Sequence, residues 1–206
     1  MSEIQTKQFF IDIAGIIILI LFSVIYTFFY SRTRKMDLTN RDMMLILKKN
    51  LLICICANAV LIFADPFSDR GSYRYILLLL FGITENIDLF IRKIPTEILI
   101  LASIPAVSQI SGHNELPYLA AGILFSCLWF LVKRKIRIGI NDIILILILT
   151  VFLSGFSETV LFNSVIMIIW GIAGFLVQKL GKKEPKTLIP LAPVIITAFT
   201  VVKLLR

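Results

Sequence analysis

Asn86-Ile87-Asp88-Leu89-Phe90-Ile91-Arg92-Lys93-Ile94-Pro95-Thr96 sets an aspartate at the end of one apolar segment and an Ile-Pro pair at the opening of the next. Proline lacks a backbone N–H, so it suits the first turn of a helix and stops the helix before it. Arg92 and Lys93 fill the gap. The stretch reads as a short basic loop between two apolar helices. Gly139-Ile140-Asn141-Asp142 repeats the arrangement, with Lys133, Arg134, Lys135 and Arg137 ahead of it and a carboxylate where an apolar segment begins.

Working outward, the composition agrees with helices in lipid. The chain is 58% hydrophobic with a mean hydropathy of +0.93, whereas soluble domains lie nearer 45–50% apolar. Its apolar runs lack the alternation of half-buried strands. The expected fold is an all-α polytopic membrane bundle of about eight transmembrane helices. These cover roughly 9–30, 49–64, 74–88, 96–111, 117–132, 142–156, 159–178 and 187–203. Several fall short of the ~20 residues that cross a bilayer. The third and sixth are the shortest, and they carry Asp88 and Asp142. Short, polar-ended spans are tolerated where they line a wet cavity. The first run, Phe9 to Tyr30, lacks a small-residue cleavage site and is expected to span the membrane rather than to be removed.

Charge gives an orientation. With the N-terminus outside, eight spans put sixteen of the twenty-one Lys and Arg residues in the inside loops. That asymmetry is what the positive-inside rule requires, and it sets Asp88 and Asp142 at the same, cytoplasmic boundary. The net charge of +8 is thereby explained by lipid-facing loops, so no nucleic-acid partner is expected. Residues 1–73 read as a two-span region with a basic cytoplasmic loop, in which Thr39 or Asn40 caps a short surface helix. Residues 74–206 form the core.

Other chemistries lack parts. Cys54, Cys56 and Cys127 show no CxxC spacing and read as packing or lipid-facing residues. The single histidine, His113, falls in an outer loop with Ser111 and Glu115 and reads as solvated. No HExxH, phosphate-cradling glycine loop or Cys/His cluster occurs, so neither metal nor cofactor is expected. Asp12, Glu85 and Glu158, the last in a two-residue outer turn, are expected at a water interface. Gly155 is expected inside a span, and Gly171 and Gly174 are expected to let helices pack closely.

Carboxylates in spans are costly and tend to be functional. Two of them within hydrogen-bonding distance cannot both ionise cheaply, so they share a proton. One then serves as base toward water while the other donates to a carbonyl. Asp88 and Asp142 are the candidate pair.

At these residues the chain resembles the type IV prepilin peptidases, the GxGD-type intramembrane aspartyl proteases. Their first motif, an aspartate followed seven residues later by the proline of an Ile-Pro or Leu-Pro pair, is matched by Asp88 and Ile94-Pro95. Their Gly-x-Gly-Asp-x-Lys is met by Gly139-Ile140-Asn141-Asp142-Ile143-Ile144, and their Ile-Pro-Phe-Gly-Pro by Ile189-Pro190-Leu191-Ala192-Pro193. Asn141 stands for the second glycine and Ile144 for the lysine. Asn141, which tolerates left-handed backbone, is expected either to keep the glycine's turn or to cap the sixth helix. The paired CxxC motifs of the family's methyltransferase part do not occur.

The resemblance implies catalytic Asp88 and Asp142, with Gly139, Asn141, Pro95, Pro190 and Pro193 in support. It implies cleavage of a prepilin or pseudopilin precursor at the inner face of the bacterial cytoplasmic membrane, by a multi-pass protein. Two alternatives stay open: a catalytically inactive relative acting as a binding or assembly factor, and a small proton- or cation-coupled transporter. Substrate identity and oligomeric state are not legible in the sequence.

Overall fold

The computed structural model describes residues 74–91, 93–110, 120–129, 138–153, 155–180 and 190–205, with part of 13–29. Among these residues all regular structure is helical, with no strand. The chain divides into two compact units, Met1–Ile91 and Arg92–Arg206. The expected span at 49–64, the surface helix in the first basic loop, Asp12, and the loop holding His113 lie outside the described residues.

In the first unit, helix α1 covers Arg74–Ile91. Its apolar residues Leu77, Leu78, Phe81, Ile83 and Ile87 are buried, and so are Thr84, Glu85 and Asp88 in its second half.

The second unit holds five helices, α2 (Thr96–Ile110), α3 (Ala120–Trp129), α4 (Ile140–Thr150), α5 (Phe156–Leu180) and α6 (Leu191–Leu204). Helix α4 packs between α2 and α6, and α6 packs on α5. The core follows the helical period. Leu145, Ile146 and Leu149 of α4, Phe162 and Ile166 of α5, and Ile195 and Phe199 of α6 are all buried. Phe162 and Phe199 lie edge to face, with ring centroids 6.0 Å apart.

The helix starts follow from chain chemistry. Pro95 carries the carbonyl that accepts the first α2 bond, from the Leu99 N–H at 3.4 Å. Gly139 does the same for Ile143 of α4 at 3.4 Å, and Gly155 for Thr159 of α5 at 3.1 Å. Pro190 stands in extended backbone before α6, with Pro193 in its first turn, where a missing N–H leaves no bond unmade. Gly155 is therefore the cap of α5 and lies outside both helices, not within a span. Glu158 belongs to the first turn of α5 rather than to a two-residue turn, because the helix begins three residues before the apolar run suggests.

Directions follow as well. The Glu158 carboxylate approaches Lys203 Nζ at 3.9 Å, which brings the start of α5 to the end of α6. The end of α4 connects to the start of α5 through residues 151–155, so α6 runs parallel to α4. Asn141 bonds the segment opening α2, so α2 begins beside α4 too. The three helices that start at motif residues begin at one end of this unit.

Large apolar side chains also stand on the surface of this unit. Ile100, Leu101, Ile104 and Val107 of α2, and Met167, Ile168, Ile172 and Phe175 of α5, are exposed. Thr150, Thr159, Asn163 and Thr200 are buried. Among the described residues one stretch, Phe156–Ala173, is long and apolar enough to cross a membrane, and the other apolar helices are shorter. Helix α5 has 25 residues, about 37 Å at the α-helical rise.

Candidate active site

Asp142 is the third residue of α4. Its Oδ2 accepts the backbone N–H of Gly139 at 2.8 Å. The first N–H groups of a helix have no partner in the ladder, and an acid at the third position that reaches back to the cap supplies one. The positive end of the helix favours the carboxylate in the same place. One carboxylate oxygen is thus aimed by the backbone.

Gly139 is needed for closeness rather than for handedness. Its φ of −72° is ordinary, but a Cβ there would come within 2.9 Å of Asp142 Oδ2. Asn141 neither caps α4 nor takes left-handed backbone, as the sequence had allowed. It is the second helical residue, and Gly139 holds the cap position. The Asn141 side chain instead donates to the Ile94 carbonyl at 2.7 Å, with Thr96 Oγ1 at 3.4 Å. The segment Ile94-Pro95-Thr96 and the segment Gly139–Asp142 therefore meet. Ile144, in the lysine position of the motif, is exposed on α4.

Asp88 lies in the last turn of α1 and is 4% exposed. The helix continues three residues further, to Ile91. Glu85, one turn earlier, is 3% exposed, and its Oε2 has no hydrogen-bond partner. The expectation of a water-interface residue is overturned at Glu85: α1 buries it along with its apolar neighbours. Thr84 beside it bonds the Leu80 carbonyl at 2.8 Å. Asp88 belongs to the first unit and Asp142 to the second. Among the described residues, no three His, Cys, Asp or Glu side chains are grouped to hold a metal ion.

Two features inside the second unit escape a reading of segments. Trp129 Nε1 donates to Asn163 Oδ1 at 3.0 Å, joining α3 to α5, and Asn163 Nδ2 returns to the Thr159 carbonyl at 2.8 Å. The polar Asn163 inside an apolar run was the available signal. Gly122 is the glycine at a close helix contact, since a Cβ there would reach 2.6 Å from Thr150 Cγ2; the small-residue run Ala120-Ala121-Gly122 marks it. Gly171 has open space around the place of a Cβ, so the expectation of close packing at Gly171 is not met. Cys127 is exposed on α3. Compared with models of protein families, with curated proteins and with solved structures, the chain finds no match.

Proposed function

We propose that this chain is a membrane-embedded aspartic endopeptidase of the prepilin type, with Asp88 and Asp142 as its catalytic pair. The observation that carries the reading is the bond from Asn141 to the Ile94 carbonyl. It joins the Ile-Pro segment of the first motif to the start of the helix that presents Asp142. In the proposed reaction the two carboxyls share one proton. The ionised one takes a proton from a water, the water attacks the scissile carbonyl, and the protonated one donates to the carbonyl oxygen; the adduct then collapses as the first carboxyl passes its proton to the leaving nitrogen, the C–N bond breaks and the second carboxylate takes back the proton of the adduct's hydroxyl. No covalent intermediate forms. Asp142, aimed by the Gly139 N–H, is the natural partner for the water.

The exposed apolar faces support a lipid surround. Apolar faces on α2 and α5 point outward while Thr150, Thr159, Asn163 and Thr200 are covered. Exposed apolar faces of that extent do not belong in water. With the loop charges, this supports about eight spans in the bacterial cytoplasmic membrane, with the site at the inner face. The substrate is a prepilin or pseudopilin precursor, cut between its basic leader and its hydrophobic helix.

One observation favours a second reading. Glu85 is buried with an orphan carboxyl oxygen one turn before Asp88, which suits a proton- or cation-coupled transporter. A single experiment separates the two. Asp88→Asn and Asp142→Asn each lower leader cleavage of a co-expressed prepilin by about a thousandfold at unchanged protein abundance. Cleavage that persists in both variants overturns the peptidase reading. A change in proton or cation flux in vesicles, with no cleavage by the parent chain, installs the transporter.

A further inference from the structure

We propose that Asn141 is a positioning residue whose side-chain amide sets the register between the Lys93-Ile94-Pro95 segment and the start of α4. Its effect on catalysis rests on the peptidase reading above; the clamp does not. In the motif this place is glycine, a residue that works by being small. In this chain it works by donating.

The carbonyl it holds is one that needs a donor. Ile94 is buried, and it precedes the residue whose carbonyl opens α2. Buried backbone carbonyls are paired almost without exception. The following proline holds Ile94 in extended backbone, so its carbonyl has a fixed direction, and Asn141 Nδ2 meets it at 2.7 Å. Thr96 Oγ1 at 3.4 Å takes a weaker share. Asn141 is itself fixed, because it lies in the first turn of α4 next to Asp142, whose carboxylate is tied to the Gly139 N–H. Two bonds from adjacent residues thus fasten the start of α4 to its own cap and to the start of α2. Glycine at 141 would remove the donor and leave the Ile94 carbonyl without it. Restoring the motif's residue is therefore expected to loosen the site rather than perfect it.

The test uses the full chain with Cys54, Cys56 and Cys127 changed to serine and Ile94→Cys added as a buried reporter. Asn141→Gly, and the same-sized Asn141→Asp that has no N–H to give, each speed maleimide labelling at position 94 about fivefold. Amide hydrogen exchange at Leu99, whose N–H bonds the Pro95 carbonyl, measured without the reporter cysteine, quickens by the same factor. With a prepilin substrate, kcat falls in both variants while KM holds. Unchanged labelling and exchange in both variants overturn the proposal, as does an Asn141→Gly enzyme that cleaves as fast as its parent. Should the parent cleave nothing, the peptidase reading falls, and labelling and exchange still decide the clamp.

Discussion

At the start of α4, Asn141 reaches a carbonyl 47 residues away in sequence, whereas buried polar groups elsewhere in the same unit mostly turn back on their own helices. Thr150 Oγ1 donates to the Ile146 carbonyl at 2.8 Å and Thr200 Oγ1 to the Ile196 carbonyl at 2.9 Å. Asn163 does likewise through its amide nitrogen, and only its oxygen serves another helix, as acceptor for Trp129. A buried hydroxyl closed within its own turn leaves the surface of the helix apolar toward its neighbours. Packing then decides how the helices sit. A side chain that leaves its own helix instead fixes one segment against another, and chemistry depends on such placement. The rest of the unit is built for cohesion and the start of α4 for geometry.

That contrast predicts where a substitution is felt. Changes away from the start of α4 should lower stability and leave cleavage per folded molecule intact; changes at that start should do the reverse. The largest stability effect belongs to Gly122→Ala. Its methyl lands 2.6 Å from Thr150 Cγ2, and overpacking of this kind costs about 1–3 kcal/mol. A lowered thermal midpoint in detergent, relieved when Thr150→Ser removes that methyl, supports the assignment. Asn163→Ala comes next. It leaves the Trp129 N–H without its acceptor, at about 1 kcal/mol, and thermal unfolding of the variant should show it while the cleavage rate per folded molecule stands. Glu158→Gln is the smallest. Its partner is 3.9 Å away, beyond hydrogen-bond reach, and glutamine keeps the shape and polarity of the side chain; a midpoint shift beyond that of Asn163→Ala would show that the start of α5 and the end of α6 are held by charge rather than by packing.

Much of the helical frame was legible because its punctuation is local. Pro95 and Pro190 mark the starts of α2 and α6 since proline can offer no N–H to a preceding turn, and Asp142 falls in the first turn of α4 as its position after Gly139 suggests. What depends on distant partners was not legible. Asn141 could be read as a turn or a cap, because nothing near it in sequence announces a carbonyl at Ile94. Glu85 looks like a residue at a wet boundary when only its neighbours along the chain are considered, yet α1 buries it. Gly171 and Gly122 are alike as residues in apolar runs, and only the neighbouring helix distinguishes them. The start of α5 is masked in the sequence because Ser157 and Glu158 separate Phe156 from the apolar run that follows.

The central claim is that Asp88 and Asp142 act as one pair, and paired cysteines test it most directly. Asp88→Cys with Asp142→Cys, in a chain lacking its native cysteines, should join through a short bifunctional thiol reagent in native membranes. The Ile94 and Asn141 positions, already in contact, serve as the positive control, and Asp88 with Thr150, at the other end of α4, as the negative one. Efficient joining of 88 to 142 and none of 88 to 150 is the predicted result. Joining of the control pair with none between 88 and 142 would contradict the account.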